Sequence, residues 1–468
     1  MWFNRAASRR PVFALITLLL ASCGIMLAQA GQKNPVPFLS QPLEPATATP
    51  GGTHFTLTLH GTGFVRGSVV QWNGSGRPTT FVSSHQLRAK IGDEDILTAG
   101  TATVTVLNPQ PGGGVSNLQY FQITTPGVIT VSNATNYSSG NTYVAAADLN
   151  GDGKLDMVVS NAAGSVAVLL GNGDGTFQPA VQYGAGSEPE AVVVADFNND
   201  GKMDLAVSNH TGSSISILLG NGDGTFQPHV DYMVGTYPTA LVMGDFNRDG
   251  NVDLAVVNTA PSSISVLLGK GDGTFAPAVQ YSSMTTVTAL VVGDFNGDGN
   301  LDLVTAGYYP VGISFFAGKG DGTFAPRKDI PLTSAAQALV AADFNDDGIL
   351  DLAGADYGTG TVFTLLGKGD GTFRKGVAAP CKSSPLMIGA ADFNGDGLLD
   401  VAVLNQSNAI TVVLGDGKGG FTGNISFPGG NLPTWMAVGD FNGDGRPDFA
   451  YLPNFDMNQV NVQLQTTH

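Results

Sequence analysis

An acidic nine-residue segment recurs along the chain, and its side chains are suited to binding a cation. In the copy at residues 245–253, oxygen-bearing side chains stand at positions 1, 3, 5 and 9, and Gly250 stands at position 6. Carboxylate and amide oxygens on alternate residues can surround a hard cation, and glycine permits the sharp turn that such a loop needs. The segment therefore predicts a short metal-binding loop.

Seven copies of this segment follow one another at intervals of 48 or 49 residues. Positions 1, 5 and 9 are always Asp, position 3 is always Asn, and position 7 varies, as expected of a residue that coordinates through its backbone carbonyl. Because all donors are oxygens, we expect Ca²⁺, with up to seven ions bound. The predicted ligands are Asp148, Asn150, Asp152, Lys154, Asp156; Asp196, Asn198, Asp200, Lys202, Asp204; Asp245, Asn247, Asp249, Asn251, Asp253; Asp294, Asn296, Asp298, Asn300, Asp302; Asp343, Asn345, Asp347, Ile349, Asp351; Asp392, Asn394, Asp396, Leu398, Asp400; and Asp440, Asn442, Asp444, Arg446, Asp448.

An EF-hand and a turn without metal are the two alternatives to such a loop. An EF-hand needs a bidentate Glu at position 12, but that position holds Val, Thr, Gly or Tyr in the seven copies, which excludes an EF-hand. A set of Asx-rich turns without metal remains the alternative.

The acidity of the chain reflects these loops. The sequence has 38 Asp and Glu against 21 Lys and Arg, for a net charge of −17, and three aspartates in each of seven loops account for the excess. Since no Lys/Arg cluster follows the first ten residues, we expect no nucleic-acid partner.

Residues 1–30 have the pattern of an export signal. Arg5, Arg9 and Arg10 precede an apolar run at residues 12–20, and residues 28–30 (Ala-Gln-Ala) form a small-x-small cleavage site. We expect a secreted, periplasmic or cell-surface protein. A lipoprotein anchored through Cys23 is the alternative, and an uncleaved membrane anchor is a further one. No later apolar stretch reaches spanning length, so no transmembrane span is expected after signal removal.

A linker at residues 31–41 leads to a segment of different pattern at residues 42–125. Short alternating stretches separated by Gly- and Pro-rich turns predict a small β-sandwich of immunoglobulin size, with Trp72 in its core. The residues Gly61-x-Gly63-Phe64, the run at 69–74 and the Asn-Pro-x-Pro-Gly-Gly run at 108–113 resemble an IPT/TIG-type immunoglobulin-like domain. Such a domain implies a module that spaces or presents its neighbour.

Residues 126–468 consist of repeated units of four short strands. The acidic loop joins strands 1 and 2, and a Gly-Asp-Gly-Thr-Phe turn joins strands 3 and 4, with its Phe expected to pack between units. Seven such units predict an all-β fold, a seven-bladed β-propeller, and an open solenoid is the alternative. A small residue before every loop favours a closed ring. The surplus strand at residues 128–131 is expected to pair with residues 460–464 and complete the last blade.

With loops and turns placed, the repeats resemble the FG-GAP/VCBS repeats of integrin α-chain propellers. The resemblance implies calcium on one face and ligand binding mostly on the opposite face. The chain departs from integrins because all seven units carry a cation loop, and it has no inserted adhesion domain, leg domains or membrane span.

The expected function is a non-catalytic binding or adhesion module, acting as a monomer on a glycan, protein or cell-surface ligand. Tyr237 and Trp435 are the expected ligand contacts, because they lie in varied loops on the face opposite the acidic loops. A structural envelope or matrix component is one alternative. A polysaccharide-degrading enzyme is another, but Glu188 and Glu190 flank Pro189 in one loop and do not form a spaced catalytic pair.

Overall fold

The computed structural model describes residues 34–39, 43–309, 311–333, 335–454 and 457–466. The expected signal at 1–30, with Cys23, lies outside the described residues. Within the described ranges the regular structure is β-strand apart from one short 3₁₀ helix, Asp93–Ile96. In these ranges no helix combines the length and the apolar character needed to cross a membrane.

The N-terminal region folds into two sheets that enclose one apolar cluster. The sheets have the strand orders β1-β3-β7-β6 and β2-β10-β8-β4-β5, with β9 paired to β8. Trp72 is 1% exposed and its ring lies 5.1 Å from that of Phe121, which confirms its predicted place in the core. The strands are β1 Phe38–Leu39, β2 Thr47–Ala48, β3 Phe55–Thr62, β4 Val69–Trp72, β5 Ser75–Gly76, β6 Thr79–Ser83, β7 Gln86–Ile91, β8 Gly100–Asn108, β9 Gly114–Val115 and β10 Gln119–Ile123.

Part of the segment expected to be a linker belongs to this sandwich. β1, at Phe38–Leu39, pairs antiparallel with β3. The assignment of all of residues 31–41 to a linker is therefore wrong, because backbone pairing does not require the alternating pattern that marks the longer strands.

The repeat region forms seven four-stranded antiparallel sheets within the described residues. Sheets 1 to 6 each contain four consecutive strands, and sheet 7 contains β37, β38, β39 and the earlier strand β12. The strands are β11 Thr130–Val131, β12 Thr135–Ser138; β13 Tyr143–Ala147, β14 Asp156–Asn161, β15 Ser165–Leu169, β16 Val181–Gly184; β17 Pro189–Ala195, β18 Asp204–Asn209, β19 Ser214–Leu218, β20 Val230–Met233; β21 Pro238–Gly244, β22 Asp253–Thr259, β23 Ser262–Leu267, β24 Val279–Ser282; β25 Thr285–Gly293, β26 Asp302–Tyr309, β27 Val311–Phe316, β28 Lys328–Pro331; β29 Ala336–Ala342, β30 Asp351–Asp356, β31 Thr361–Gly367, β32 Phe373–Pro380; β33 Pro385–Ala391, β34 Asp400–Asn405, β35 Ala409–Gly415, β36 Phe421–Pro428; and β37 Trp435–Gly439, β38 Asp448–Leu452, β39 Gln459–Gln463, β40 Gln465–Thr466.

Successive sheets pack through their first strands in a propeller-like order. The first strand of each sheet contacts the first strand of the next, and β37 of sheet 7 contacts β13 of sheet 1. The small residue that ends each first strand makes this packing possible. A Cβ on Gly244 would lie 2.4 Å from Leu301 Cδ1 of the next repeat, and a Cβ on Gly439 would lie 2.5 Å from Leu155 Cδ1 of the first repeat. The small residues therefore make room for a neighbour's leucine.

The phenylalanines of the Gly-Asp-Gly-Thr-Phe turns pack between sheets, as predicted. Four of the five meet a tyrosine from the fourth strand of the preceding sheet in a T-shaped contact, whereas Phe373 makes its T-shaped contact with Phe295. The ring-centre distances are 5.4 Å for Tyr183–Phe226, 5.4 Å for Tyr232–Phe275, 5.6 Å for Tyr281–Phe324 and 5.3 Å for Tyr137–Phe177. The last pair joins sheet 7 to sheet 1.

The strand that completes sheet 7 precedes the first repeat, as expected, but it is not the strand that the sequence suggested. β12 pairs antiparallel with β39, whereas Thr130 and Val131 of β11 pair with β40 in a separate two-stranded sheet. The prediction for residues 128–131 was therefore wrong in strand and register. An outer strand exposes most of its residues, so it need not be apolar, and β12 has the same burial pattern as β16, β20 and β24.

A cysteine pair across β12 and β39 should lock the two ends of the repeat region together. Asn136 lies directly opposite Asn461 in the register, so the double variant Asn136→Cys/Asn461→Cys should form a disulfide on oxidation. Closing so long a loop should stabilise the fold by about 2–4 kcal/mol and raise the Tm. Adding a reductant should reverse this rise.

The matched control is Asn133→Cys/Asn461→Cys, since Asn133 is exposed and outside β12. Thiol titration and melting curves are the measurements. Equal cross-linking in both pairs would contradict the observed register.

Candidate metal-binding loops and opposite face

The acidic loops are turns in which carboxylates bind backbone N–H groups of their own loop. In the third loop, Asp245 Oδ1 accepts the Asp249 N–H at 3.1 Å and Oδ2 accepts the Gly250 N–H at 3.0 Å. Asn247 Oδ1 accepts the same Asp249 N–H at 2.9 Å, and Asp249 Oδ1 accepts the Asn251 N–H at 2.9 Å. Equivalent bonds occur in the other six loops. The loop backbone thus holds the side chains of positions 1, 3 and 5 on its inner side.

The aspartate at position 9 has a structural task that the sequence analysis missed. Asp253 begins β22 and is fully buried; its Oδ2 accepts the Phe246 N–H at 2.8 Å, and its Oδ1 accepts the Gly269 N–H at 2.8 Å. Gly269 leads into the Gly-Asp-Gly-Thr-Phe turn, so one carboxylate ties the acidic loop to that turn. The glycine before each turn could have indicated this tie from the sequence, because only a small residue fits beside the preceding acidic loop.

The same tie recurs in the first six sheets of the repeat region. The position-9 carboxylates that bind a glycine N–H of their own repeat are Asp156, Asp204, Asp302, Asp351 and Asp400. Asp448 of sheet 7 binds the Gln465 N–H at 2.7 Å instead, because that repeat lacks the turn. Position 9 therefore stabilises the sheets through its hydrogen bonds, whether or not a cation is bound.

Burial and mutual repulsion raise the pKa of the position-9 carboxyls. Burial raises the pKa of Asp253 to about 8; the bond from Gly269 opposes this, and the charges of Asp245 and Asp249 add to it. The pKa is about 8 for Asp302 and Asp400, about 7 for Asp351, and about 6 for Asp156 and Asp204, with the same first cause.

No Lys or Arg in the described residues forms an ion pair with a position-9 carboxylate. Lys154 and Lys202 pair only with the position-5 aspartates of their own loops, at 3.8 Å and 3.7 Å. As the described side chains stand, no three His, Cys, Asp or Glu gather closely enough to hold a metal ion. The donor set of three carboxylates and one amide oxygen nevertheless fits the chemistry of Ca²⁺, which takes six to eight oxygen ligands. A divalent cation would relieve the repulsion that raises these pKa values.

A cluster of two aromatic rings and one carboxylate lies at the ends of the first strands that are remote from the acidic loops. Tyr237 precedes β21, whose other end leads into an acidic loop; it is 41% exposed and stacks on His210 at 4.9 Å. His210 Nδ1 lies 3.5 Å from Glu190 Oε1. Burial raises the pKa of Glu190, and the neighbouring His210 opposes that shift. Sequence reasoning named Tyr237 but missed His210 and Glu190, because the three belong to different strands and connections.

Trp435 occupies a different environment from Tyr237. It is the first residue of β37 and is half-buried, with its ring centre 4.3 Å from that of Tyr143 on β13. Part of this ring is therefore used in packing sheet 7 against sheet 1.

In the calcium-free protein, stability should decrease as the pH rises from 5 to 8. The folded protein keeps the protons of the position-9 carboxyls up to a pKa of about 6 to 8, whereas an unfolded aspartate releases its proton near pH 4. Between these values the folded state binds more protons, so the free energy of unfolding falls with increasing pH. The measurement is the Tm of metal-stripped protein across this range.

Asp253→Asn should flatten part of that dependence, because the amide does not titrate. The aspartates of the Gly-Asp-Gly-Thr-Phe turns serve as a control: hydrogen bonds from threonine lower the pKa of Asp272, so Asp272→Asn should leave the slope above pH 5 unchanged. A Tm that rises steadily from pH 5 to 8 would contradict the assignment.

Several solved structures are similar to this chain at low sequence identity. BBS1N, in a crystal structure of its complex with ARL6DN, has a TM-score of 0.52 at 16% identity, covering 73% of this chain and 98% of that one. A protein from Lactobacillus plantarum gives 0.48 at 14%, covering 79% and 98%. An auxiliary nutrient binding protein from Bacteroides ovatus gives 0.42 at 10%, covering 92% and 98%. No curated protein sequence matches the chain.

Two family models match the sequence. The IPT/TIG domain model matches residues 40–123, the region of the two-sheet sandwich. The FG-GAP-like repeat model matches six overlapping segments, at 148–207, 197–256, 245–305, 294–353, 343–403 and 392–451, each running from one acidic loop into the next repeat. These matches cover more than half of the chain, which therefore belongs to the FG-GAP-like repeat family and carries an IPT/TIG domain before its repeats.

Proposed function

We propose that the chain is an exported, seven-bladed, calcium-binding β-propeller that acts as a non-catalytic binding module for a glycan or protein ligand. The observation that carries this proposal is the division of the repeat region into two kinds of face. The ends of the first strands that lead into the acidic loops are nearly identical, while the opposite ends differ in every repeat and carry exposed rings. A uniform face suits a structural metal, and a varied face suits recognition.

Calcium would be held in each loop by the side chains at positions 1, 3, 5 and 9 and by the backbone carbonyl at position 7. The ion supplies positive charge among three carboxylates. The chain's own part is to hold these carboxylates in one turn, through N–H groups such as that of Gly250, and to bury the position-9 member. Because that member also ties the loop to the next turn, a bound cation would stabilise each sheet where its strands meet.

The ligand is proposed to contact Tyr237, with His210 and Glu190 beside it and Trp435 as a further contact. An exposed ring is a common anchor for the apolar face of a sugar or for a protein side chain, and a neighbouring carboxylate can accept hydrogen bonds from hydroxyl groups. BBS1N, which shares the fold, has a structure in complex with a partner protein. This supports a protein as one of the two ligand classes.

We propose no catalysis, because Glu188 and Glu190 are only two residues apart in the chain and Glu190 Oε1 lies 3.5 Å from His210 Nδ1. Cys381 is buried, and burial raises the pKa of its thiol to about 12, which makes it a poor nucleophile. Export is proposed from the basic and apolar pattern of residues 1–30, with anchoring through Cys23 as the alternative.

Removing calcium should lower the Tm, and removing one loop should remove one ion. A site at a hundredfold excess of calcium over its Kd contributes about 2.7 kcal/mol to the free energy of unfolding. Asp196→Asn should therefore bind one ion fewer and show a smaller calcium-dependent rise in Tm. Titration calorimetry and metal analysis measure the stoichiometry.

Asp223→Asn is the matched control, because Asp223 lies in a Gly-Asp-Gly-Thr-Phe turn of the same repeat and binds Thr225. It should keep the full number of ions. A wild-type protein without bound calcium, and with a melting curve indifferent to chelation, would refute the calcium proposal.

Tyr237→Ala should weaken ligand binding by about tenfold or more, because an exposed aromatic anchor typically contributes at least about 1.4 kcal/mol. The measurement is binding to a glycan array and to extracellular proteins, followed by a Kd for the best ligand. Tyr357→Ala is the control: Tyr357 is 39% exposed and bonds Gln406 at 2.9 Å on another repeat.

Both tyrosine variants should keep the calcium-dependent Tm of the wild type. Unchanged binding by Tyr237→Ala, or an equal loss in Tyr357→Ala, would argue against this location. Turnover of a polysaccharide by the wild-type protein would contradict the non-catalytic proposal.

A further inference from the structure

The N-terminal sandwich lies against the acidic-loop face of the repeat region and contacts three first-position aspartates. The Val36 N–H donates to Asp245 Oδ2 at 3.0 Å, and Thr101 Oγ1 donates to Asp440 Oδ2. His85 Nε2 lies 3.4 Å from Asp294 Oδ2. Three separate segments of the sandwich thus meet the third, seventh and fourth loops.

All three contacts use the same carboxylate oxygen. In each loop Oδ2 also accepts the N–H of the position-6 glycine, whereas Oδ1 accepts the position-5 N–H inside the turn, as in Asp440 with Gly445 at 2.8 Å and Asp444 at 3.1 Å. Each contact from the sandwich therefore goes to Oδ2, and Oδ1 keeps its bond within the turn. A cation bound through Oδ1 could then share the aspartate with the sandwich without competing for one oxygen.

The position-6 glycines divide into two groups that reflect this docking. A Cβ on Gly250 would lie 2.7 Å from Asn34 O, and a Cβ on Gly445 would lie 2.7 Å from both Gly100 O and Ile123 O. A Cβ on Gly153 or Gly201 would meet nothing within 4 Å. All four have φ between +80° and +85°, so the turn itself demands glycine equally in each. Only the first two glycines give room to the sandwich.

The rest of the interface combines apolar packing with incompletely paired polar groups, and Phe38 and Tyr120 of the sandwich pack against apolar clusters of the repeat region. Between the sandwich and the first strands lies a cavity of about 250 Å³, lined by Thr101, Tyr120 and Gln122 on one side and by Asp392 and Asp440 on the other. The Tyr120 hydroxyl and Gln122 Oε1 are buried without a hydrogen-bond partner in the described residues. These unpaired groups, together with His85 Nε2, oppose docking, whereas the apolar packing and the hydrogen bonds of Val36 and Thr101 to the aspartates favour it.

We propose that the N-terminal sandwich is a calcium-linked cap on the repeat region. Cations in the third, fourth and seventh loops fix the aspartates whose Oδ2 atoms contact the sandwich, and docking in turn raises the calcium affinity of those loops. Coupling of this kind is reciprocal and commonly changes affinity by about fivefold or more. The inference rests on the proposed calcium binding. It adds that calcium governs whether the loop face is covered or open.

Hydrogen exchange of the full chain, followed by mass spectrometry across a calcium titration, tests this proposal segment by segment. We expect calcium to protect the loop segments 148–156, 196–204, 245–253 and 440–448. It should also protect the docking segments 34–39 and 100–101 of the sandwich. Protected loops with unchanged docking segments would overturn the cap and leave the calcium proposal standing. Loops that calcium does not protect would overturn both.

Two glycine double variants separate docking from strain in the loops. Gly250→Ala/Gly445→Ala should abolish the calcium-dependent protection of the docking segments, because the added methyl groups collide with the sandwich backbone. Gly153→Ala/Gly201→Ala strains two loops in the same way but should keep that protection. An equal loss in both double variants would overturn the cap.

Thr101→Val provides a test that leaves every loop residue in place. It should raise by about fivefold the calcium concentration at which residues 440–448 reach half of their full protection. The corresponding concentration for residues 196–204 should not change. Thr103→Val is the control, since Thr103 lies on the same strand and its hydroxyl bonds Asn73 within the sandwich. Identical midpoints in Thr101→Val and Thr103→Val would overturn the proposal.

Discussion

The buried carboxylate at position 9 is the interaction on which each repeat depends. It is fully buried at the start of the second strand, and its two oxygens hold the acidic loop and the turn that follows the third strand, as Asp253 does with Phe246 and Gly269. An unpaired buried charge is costly, so the arrangement needs either a proton or a cation. The raised pKa of Asp253 expresses that need. The carboxylate that joins the loop to the strands of its repeat is therefore also the one at which the proposed cation would act.

Packing between repeats follows from a second local rule. A small residue at the end of one first strand receives a leucine of the next repeat, and a tyrosine of one outer strand meets a phenylalanine of the next turn. Gly439 with Leu155, and Tyr137 with Phe177, apply the same rule between the seventh and the first sheet. The same contacts that stack neighbours thus join the two ends of the repeat region.

The two ends of the first strands then have different tasks. One end carries the acidic loops and is partly covered by the N-terminal sandwich, through contacts to Oδ2 of first-position aspartates. The other end holds connections that differ between repeats, among them the His210–Tyr237 stack. Because both ends belong to the same short strands, a change at the loops can affect the rigidity of the opposite face, where we propose that the ligand binds.

The sequence by itself determined the all-β class, the repeat, its FG-GAP-like family and the loop residues, because these follow from local spacing and the chemistry of a short turn. It did not determine the closing strand. Because β12 is exposed along most of its length, hydrophobicity favoured residues 128–131 instead. Tyr137 of β12 nevertheless corresponds to Tyr183 of the outer strand β16. Nor did it reveal the pairing of Glu190 with His210, or of Thr101 with Asp440. Glu190 lies on β17 and His210 directly follows the neighbouring strand β18 of the same sheet, 20 residues apart, and Thr101 and Asp440 lie in different domains, so folding is needed to bring each pair together.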